Sequence, residues 1–328
     1  MNSIELALAG VSIGEASSFR NLTVFPLLRQ EETPAAYLTL DEALALGGIR
    51  VTEVSESASV SGLEVVNTLD RAVLLLDGEE IVGAKQNRVF NLTILVPAAT
   101  ELLVPVSCVE AGRWSHVSDT FMPAPRAQYS AGRSERVAQV SESLLDSGIR
   151  SSDQSRVWEH IEAKRRRMGV ESETGAMADI YERYSGSVEE YVLAVTPVDG
   201  QAGAVFALNG EVAGMDLFDA GSTLRSLLPK LVRSYALDAI EAAGRTTTPG
   251  PDAASTFLAS VGTAEARSFP AVGLGEDVRV QGDGVSGAAL MADGHVVHLC
   301  AFRQSVPGAP AARAAMRRAS DRRGHFER

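Results

Sequence analysis

Two short polar stretches, residues 79–88 and 108–114, carry the residue types in this sequence that could do chemistry. A carboxylate can act as a general base or hold Mg²⁺, a guanidinium can bind a phosphate through two hydrogen bonds, and an indole can stack on a base. Glu80 and Glu110 are the predicted catalytic carboxylates, and Arg88 and Arg113 are the predicted phosphate clamps. The full predicted ligand-binding set is Glu79, Lys85, Gln86, Asn87, Arg88, Arg113 and Trp114. This mixture predicts a pocket for an anionic, ring-containing ligand such as a nucleotide, with Mg²⁺ left open as a cofactor.

The apolar runs on both sides of the first stretch decide between a buried site and a solvent-facing turn. "VLLL" (73–76) and "VFNLTILV" (89–96) are nearly continuous, which is typical of strands buried on both faces. Charges close to a core must be paired, hydrated in a cleft or bound to a ligand. We therefore predict that Glu80, Lys85 and Arg88 lie in one concave site with Glu110 and Arg113. A structural ion cluster, in which these charges neutralise one another, is the remaining alternative.

Histidine and cysteine offer a weaker case for a metal or a nucleophile. His298 and Cys300 share one face of a predicted strand, but a zinc site would need Cys108 or a carboxylate as well, so a buried histidine beside a buried thiol is favoured. Cys108 as a nucleophile would need a base, and His116 is the nearby candidate in sequence; inert burial is favoured here too. No metal ligand is predicted.

The elements that must position these residues are mainly strands. Residues 21–28 and 49–111 contain short segments rich in β-branched residues, and Asp77-Gly78 predicts a hairpin turn between two of them. Residues 39–48 have a capping box and a glycine stop, which predict a short helix. Helices are predicted at 134–148, 152–169, 172–186 and 222–244, the last with a start or a kink at Pro229. Strands are predicted from residue 191 to 218 and in a final meander after a short helix.

The segments 75–86 and 207–218 resemble each other. Both run from an apolar strand through Asp-Gly or Asn-Gly to a glutamate, small apolar residues and a glycine. Two readings stay open, a duplicated β unit or two hairpins that share common turn chemistry.

Composition excludes several classes of protein. Residues 305–328 hold six arginines and two acidic residues, a charge of +4, which leaves −16 on the remainder of a chain whose net charge is −12. Such an acidic body argues against nucleic acid as the main partner. No run reaches the roughly 18 apolar residues of a spanning helix, and the first ten residues do not resemble a signal peptide. With two cysteines and no disulfide framework, the sequence predicts a cytoplasmic protein with reduced thiols.

Three quoted segments carry a resemblance that covers residues 5–304. They are "LLLDGEEIVGAKQNRVFNLTILVPAATELLVPVSCVEAGRW", "GAVFALNGEVAGMDLFD…LLPKLVRSYALDA" and the closing "VVHLCAF". Together they resemble the ARG-and-rhodanese-phosphatase-associated protein domain, an uncharacterised prokaryotic family. By association alone, the family's name implies a role in handling ADP-ribose or a related nucleotide. It assigns no catalytic role to any residue of this chain.

These observations predict an α+β fold and two competing functions. The fold is a mainly antiparallel sheet built from both ends of the chain, with the 134–186 helices inserted and the 222–244 helix packed on the sheet. We expect one domain over residues 1–304, followed by a basic, disordered tail at 305–328. The first function is binding or processing of a phosphorylated nucleotide-type metabolite of the ADP-ribose kind. The second is a non-catalytic interaction module that docks on an ADP-ribose-processing enzyme.

Overall fold

The computed structural model describes residues 3–31, 33–54, 61–244, 246–250 and 252–304. In chain order its elements are α1 (Ser3–Ala9), β1 (Ser12–Ile13), β2 (Ser17–Phe19), β3 (Leu22–Leu28), β4 (Tyr37–Thr39), α2 (Leu40–Ala45), β5 (Ile49–Glu53), β6 (Gly62–Asn67), β7 (Ala72–Leu75), β8 (Glu79–Gly83), β9 (Arg88–Phe90), β10 (Ile94–Val96), β11 (Thr100–Cys108), β12 (Phe121–Ala127), α3 (Ser130–Ser147), α4 (Gln154–Arg167), α5 (Met177–Arg183), α6 (Ser185–Ala194), β13 (Gln201–Leu208), β14 (Glu211–Phe218), α7 (Gly221–Glu241), α8 (Ala253–Thr263), β15 (Glu265–Pro270), β16 (Glu276–Gly282), β17 (Val285–Ala292) and β18 (His295–Arg303).

A nine-stranded antiparallel sheet joins the two ends of the described chain. Its order is β1-β3-β13-β14-β18-β17-β16-β15, and the ninth strand, β2, also pairs with β3. Alternation along β13 sends Ala204 and Phe206 into one apolar core and Val205 and Ala207 into another. Helix α7 covers the first face, where Tyr235 stacks on Phe206 at 4.0 Å between ring centroids. The predicted α+β class, with antiparallel strands from both ends and a long helix on the sheet, is confirmed.

Two smaller sheets hold the polar stretches found in the sequence. One has the order β10-β7-β4, in which β4 and β7 run parallel, and the other has the order β12-β8-β9-β11-β6-β5. A separate apolar core fills the space between them and contains Leu75, Phe90 and Val106. Strand β8 lies between β12 and β9. Its residues Glu80 and Ile81 pair with β9, and Val82 and Gly83, at its end, pair with β12.

The predicted hairpin at Asp77-Gly78 is wrong. Strand β7 pairs with β10 and β4, whereas β8 pairs with β12 and β9, so the turn carries the chain from one sheet to another. The similar Asn209-Gly210 sequence does close a hairpin, between β13 and β14, with φ of 50° and 84° at the two residues. The segments 75–86 and 207–218 are therefore similar in sequence but differ in strand pairing. The physical difference is that Asp77 is buried and bound by two arginines of α3.

Most predicted helices are confirmed, but the helix predicted at 172–186 begins only at Met177 and ends at Arg183. The capping box of α2 is present at Thr39 and Glu42, and α7 continues through Pro229, so no helix starts there. Residues 185–194 form α6 and not the start of the strand that we predicted from residue 191. The closing meander β15–β18 is confirmed. Among the described residues, no helix is long and apolar enough to cross a membrane. The predicted basic tail, 305–328, lies outside the described residues.

Candidate functional site

The loop that follows β8 has an unusual backbone, and the residues after β11 hold it in place. Gly83 has φ of 131° and Ala84 has φ of 42°, a left-handed conformation that a non-glycine residue rarely adopts. The Ala84 N–H donates to Ser118 Oγ at 3.0 Å, and the Ala84 carbonyl accepts from the Val117 N–H at 3.0 Å. A Cβ at Gly83 would lie 2.6 Å from Ser118 Oγ, so the close approach requires glycine.

Arg113 is the main brace of this loop. All five of its N–H groups have protein acceptors, which are Glu110 Oε2 (2.9 Å), the Ala84 carbonyl (3.0 Å), the Ser115 carbonyl (3.3 Å), the Gly83 carbonyl (3.4 Å) and Asn87 Oδ1 (3.0 Å). A phosphate could bind this guanidinium only by displacing some of these bonds. The arrangement therefore explains a structural role for Arg113 more directly than the predicted phosphate clamp.

Glu110 is the partner of Arg113 and is buried, with 6% of its surface exposed. Its Oε2 accepts from the Asn87 backbone N–H at 3.1 Å, and its Oε1 accepts from Thr174 Oγ1 at 3.0 Å. Burial by itself raises the pKa of Glu110, but the bonds from Arg113 and from the Asn87 N–H outweigh it and hold the pKa below its ordinary value. A carboxylate with such a pKa is a weak base.

A cleft of about 460 Å³ lies beside this pair. Its lining residues come from the end of β8, the braced loop, the start of β12 and one face of α5; they are Val82, Gly83, Asn87, Glu110, Arg113, Val117, Ser118, Met122, Ala176, Ala178, Asp179 and Glu182. Three of the nine residues predicted from the sequence thus line one concave surface. The acidic side chains of α5 make this surface negative, which disfavours a phosphate.

The two predicted carboxylates of β8 form separate ion pairs. Glu79, which is 1% exposed, binds Lys230 of α7 at 2.5 Å, and Glu80, fully buried, binds Arg126 of β12. Burial raises the pKa of both carboxyl groups, and the neighbouring cations only partly offset it. Successive residues on a strand point to opposite faces, so one site could not hold both side chains.

The remaining predicted residues surround the Glu110–Arg113 pair, and Gln86 makes a direct hydrogen bond to it. Gln86 Nε2 donates to the Glu110 carbonyl at 2.8 Å, and Gln86 Oε1 accepts from the fully buried Arg88 at 2.8 Å. Lys85 lies 5.8 Å from the centre of the Trp114 ring, and this indole is half exposed. The structure thus brings Asn87, Glu110 and Arg113 together with Gln86, and it separates them from Glu79. A ligand-binding role for these residues stays a prediction.

Sequence reasoning missed a buried ionic network between the sheets and α3. Arg133 donates to both oxygens of Asp216 at 3.1 and 2.6 Å and to Asp77 at 3.2 Å, and Arg136 also binds Asp77. Arg133, Arg136 and Asp216 are completely buried. Arginines three residues apart are mostly exposed on helices, and the acidic partners of Arg133 and Arg136 come from distant segments, so the sequence contained no local signal for this network.

His298 belongs to this hydrogen-bonded network, and its ring nitrogens contact Thr93 and Asp216. Its Nδ1 lies 2.7 Å from Thr93 Oγ1, and its Nε2 lies 3.2 Å from Asp216 Oδ1. Cys300, beside them, is buried, and burial raises the pKa of its thiol; the same holds for Cys108. Within the described ranges, no group of three or more His, Cys, Asp or Glu side chains is placed to hold a metal ion.

A second cavity, of about 480 Å³, lies at the start of α7 and was not found from the sequence. It is lined by hydroxyl groups, one guanidinium, one carboxylate and an apolar wall, which are Thr33, Pro34, Ala35, Tyr37, Leu38, Glu42, Arg71, Ser222 and Thr223. Thr223 Oγ1 donates to the Tyr37 hydroxyl at 3.1 Å, which in turn donates to Asp219 at 2.5 Å. Arg71 contacts the carbonyls of Ala35 and Tyr37, each at 3.3 Å.

Comparison with known proteins gave one family. Residues 10–302, nearly the whole described chain, match the ARG and Rhodanese-Phosphatase-superfamily-associated Protein domain. Neither the curated proteins nor the solved structures contain a significant match.

Proposed function

Since the chain belongs to the ARG and Rhodanese-Phosphatase-superfamily-associated Protein domain family, we propose that it binds a phosphorylated nucleotide-type metabolite of the ADP-ribose class in the cavity at the start of α7. The observation that carries the proposal is the chemistry of that cavity. Its volume of about 480 Å³ lies in the usual range for small-molecule sites, and its walls combine an apolar side with hydroxyls and a guanidinium. The family's name supplies the class of metabolite by association.

The phosphate part of such a ligand finds donors at the first turn of α7. Ala220, the residue before this 21-residue helix, provides no side-chain cap, and Ser222 and Thr223 line the cavity. The first backbone N–H groups of a helix have no partner within the helix and carry partial positive charge. Arg71, which also lines the cavity, adds a full positive charge. These groups favour a phosphate, whereas the acidic cleft beside Glu110 does not.

The base and sugar of the ligand match the other walls of the cavity. Pro34, Ala35 and Leu38 offer an apolar surface for a ring. The Oε2 of Glu42 caps α2 by accepting from Thr39, and its Oε1, which has one long contact of 3.5 Å with Ser226, can accept from a sugar hydroxyl. We confine the proposal to binding because the predicted catalytic carboxylates are occupied. Glu80 is bound by Arg126 and Glu110 by Arg113, and neither lines this cavity.

Calorimetric titration of the full-length chain tests the proposal. ADP-ribose, AMP and ribose 5-phosphate should bind, and adenosine should bind more weakly because it lacks a phosphate. Arg71→Met should weaken ADP-ribose binding by about tenfold, the loss of one charge-assisted contact. The matched control is Arg267→Met, which changes an exposed arginine of β15 paired with Glu265. Absence of binding by any phosphorylated ligand, or equal affinity in both variants, would contradict the proposal.

Both predicted catalytic carboxylates are bound by arginines, which also favours the second function, a non-catalytic interaction module. Such a module would dock on an ADP-ribose-processing enzyme and need no ligand of its own. Thermal unfolding separates the two functions, because a ligand at 100 times its dissociation constant stabilises the native state by about 2.7 kcal/mol. A nucleotide screen that leaves the unfolding temperature unchanged, with and without Mg²⁺, would favour the docking module.

A further inference from the structure

The cleft beside Glu110 carries negative charge that the described chain does not neutralise. Asp179 and Glu182 lie three residues apart on one face of α5 and line the cleft. Within the described part of the chain, neither makes a salt bridge or a side-chain hydrogen bond, although the charge of Glu182 helps to raise the pKa of Arg126, the partner of Glu80. Arg113, the cation of this surface, already has an acceptor for each of its N–H groups. A cationic group that entered the cleft would meet two carboxylates.

A buried carboxylate oxygen on β8, two residues before the cleft residue Val82, also lacks a hydrogen-bond partner among the described residues. Glu80 is fully buried; its Oε2 accepts from Arg126, and its Oε1 has no hydrogen-bond partner among the described residues. Residues two apart on a strand share a face, so Glu80 points to the same side of β8 as Val82, which lines the cleft. The charge of Glu182 adds to burial in raising the pKa of Glu80. An unpartnered buried acceptor is costly, so a donor that reached Glu80 Oε1 would stabilise this part of the protein.

The rim of the cleft is apolar although it is exposed. Val117 is 68% exposed and Met122 is 54% exposed, and both line the cleft. A surface that combines exposed apolar side chains with carboxylates suits the arginine side chain, whose methylene groups cover apolar surface while the guanidinium reaches carboxylates. The ligand class indicated by the cleft is therefore an arginine set among small apolar residues.

We propose that this cleft binds the arginine-rich segment 305–328 of the same chain. The segment has a charge of +4, against −16 for the remainder of the chain, and its arginines alternate with alanine and Met316 in "AARAAMRRAS". Charge complementarity and side-chain chemistry thus match those of the cleft. The contact is independent of the metabolite cavity at α7, since the two surfaces share no lining residue.

The length of the segment permits the contact. Gln304, the last described residue, donates from Nε2 to Ser134 Oγ of α3 at 2.9 Å, and α3 follows β12, the strand that carries Met122. The 12 residues from Met122 to Ser134 span at most about 40 Å. Arg317 lies 13 residues beyond Gln304 and can reach about 43 Å, and the later arginines can reach farther. A tethered segment has an effective concentration in the millimolar range, so a weak contact is enough to occupy the cleft.

Disulfide trapping in the full-length chain tests this proposal. Met122→Cys places a thiol at the rim, and Met316→Cys places one in the segment, while the native Cys108 and Cys300 are buried. The control pairs Met316→Cys with Leu6→Cys, an exposed position on α1. We expect the Met122 pair to form an intramolecular disulfide about tenfold faster than the control pair, because the bound segment raises the local thiol concentration.

The two carboxylates of α5 that line the cleft provide the second arm of the test. Asp179→Asn with Glu182→Gln should remove the rate advantage, and so should high salt, whereas Asp293→Asn with Glu211→Gln, two exposed acids elsewhere, should preserve it. Equal rates at Met122 and Leu6 would overturn the proposal. So would an advantage that survives neutralisation of Asp179 and Glu182. Disulfide-linked dimers in place of the intramolecular product would overturn it as well, because the occupant would then be a second copy.

Discussion

Replacement of Arg113 by methionine separates a structural brace from a ligand clamp. The substitution removes five hydrogen bonds and leaves Glu110, 6% exposed, with the Asn87 N–H and the Thr174 hydroxyl as its donors. Breaking a buried ion pair costs about 3–5 kcal/mol. The side chain of Arg113 is 15% exposed. We therefore expect the lower end of the range, about 3 kcal/mol, which corresponds to a fall of roughly 5–10 °C in the unfolding temperature.

The pH dependence of this loss gives an independent check. The pKa of Glu110 is lowered in the folded state, so its ionised form stabilises the fold above the pKa of an unfolded glutamate, about 4.3, and this stability is lost as the pH falls through the folded pKa. Arg113→Met removes the main cause of the lowered pKa. The difference in unfolding free energy between wild type and variant should therefore be largest above about pH 5 and shrink at more acidic pH.

Urea titrations of wild type, Arg113→Met, Glu110→Gln and the double variant complete the assay. If the two residues form one brace, the double variant should lose less free energy of unfolding than the sum of the two single variants. All four proteins should bind ADP-ribose equally, because neither residue lines the cavity at α7. A loss below about 1 kcal/mol in Arg113→Met, together with weakened nucleotide binding, would refute this reasoning and restore the clamp.

Three further substitutions follow from the buried charges. Asp216→Asn should cost about 3 kcal/mol in urea unfolding, because Arg133 loses an ionised partner in a fully buried site; a loss near zero would contradict the network. Lys230→Met should cost a similar free energy of unfolding at neutral pH. Chemical denaturation should show a smaller loss at acidic pH, because burial raises the pKa of Glu79 and this partner then becomes protonated. Arg88→Met should cost only about 1 kcal/mol, since its one close hydrogen bond to a described residue is to the uncharged amide of Gln86 and its ion pair with Glu53 is long, at 3.8 Å. A loss of about 3 kcal/mol or more in thermal unfolding would contradict this expectation.

The sequence predicted helices and strands correctly where the contacts that form them lie within a few residues of each other. Thr39 and Glu42 form their capping box because the contact lies within four residues, and the closing meander follows from its short strands and tight turns. Asp77-Gly78 failed because its carboxylate binds α3, more than 50 residues later in the chain. Tertiary partners of this kind leave no local pattern, so turn chemistry alone could not decide the strand pairing.

The candidate site was predicted in part for a similar reason. Apolar runs on both sides of residues 79–88 correctly placed the polar stretch near the core, and Asn87, Glu110 and Arg113 do meet at one cleft. What the sequence could not show is that carbonyl groups occupy most of the Arg113 donors, because every residue has a carbonyl. The cavity at α7 was missed because its walls come from three separate segments that contain no motif.

The location of a bound nucleotide tests the central claim most directly. Crystals of the full-length chain soaked with ADP-ribose should show difference density for the ligand in the cavity at α7, with a phosphate against residues 221–223 and within reach of Arg71. Density beside Glu110 and Arg113, or an empty α7 cavity at a saturating ligand concentration, would contradict the account.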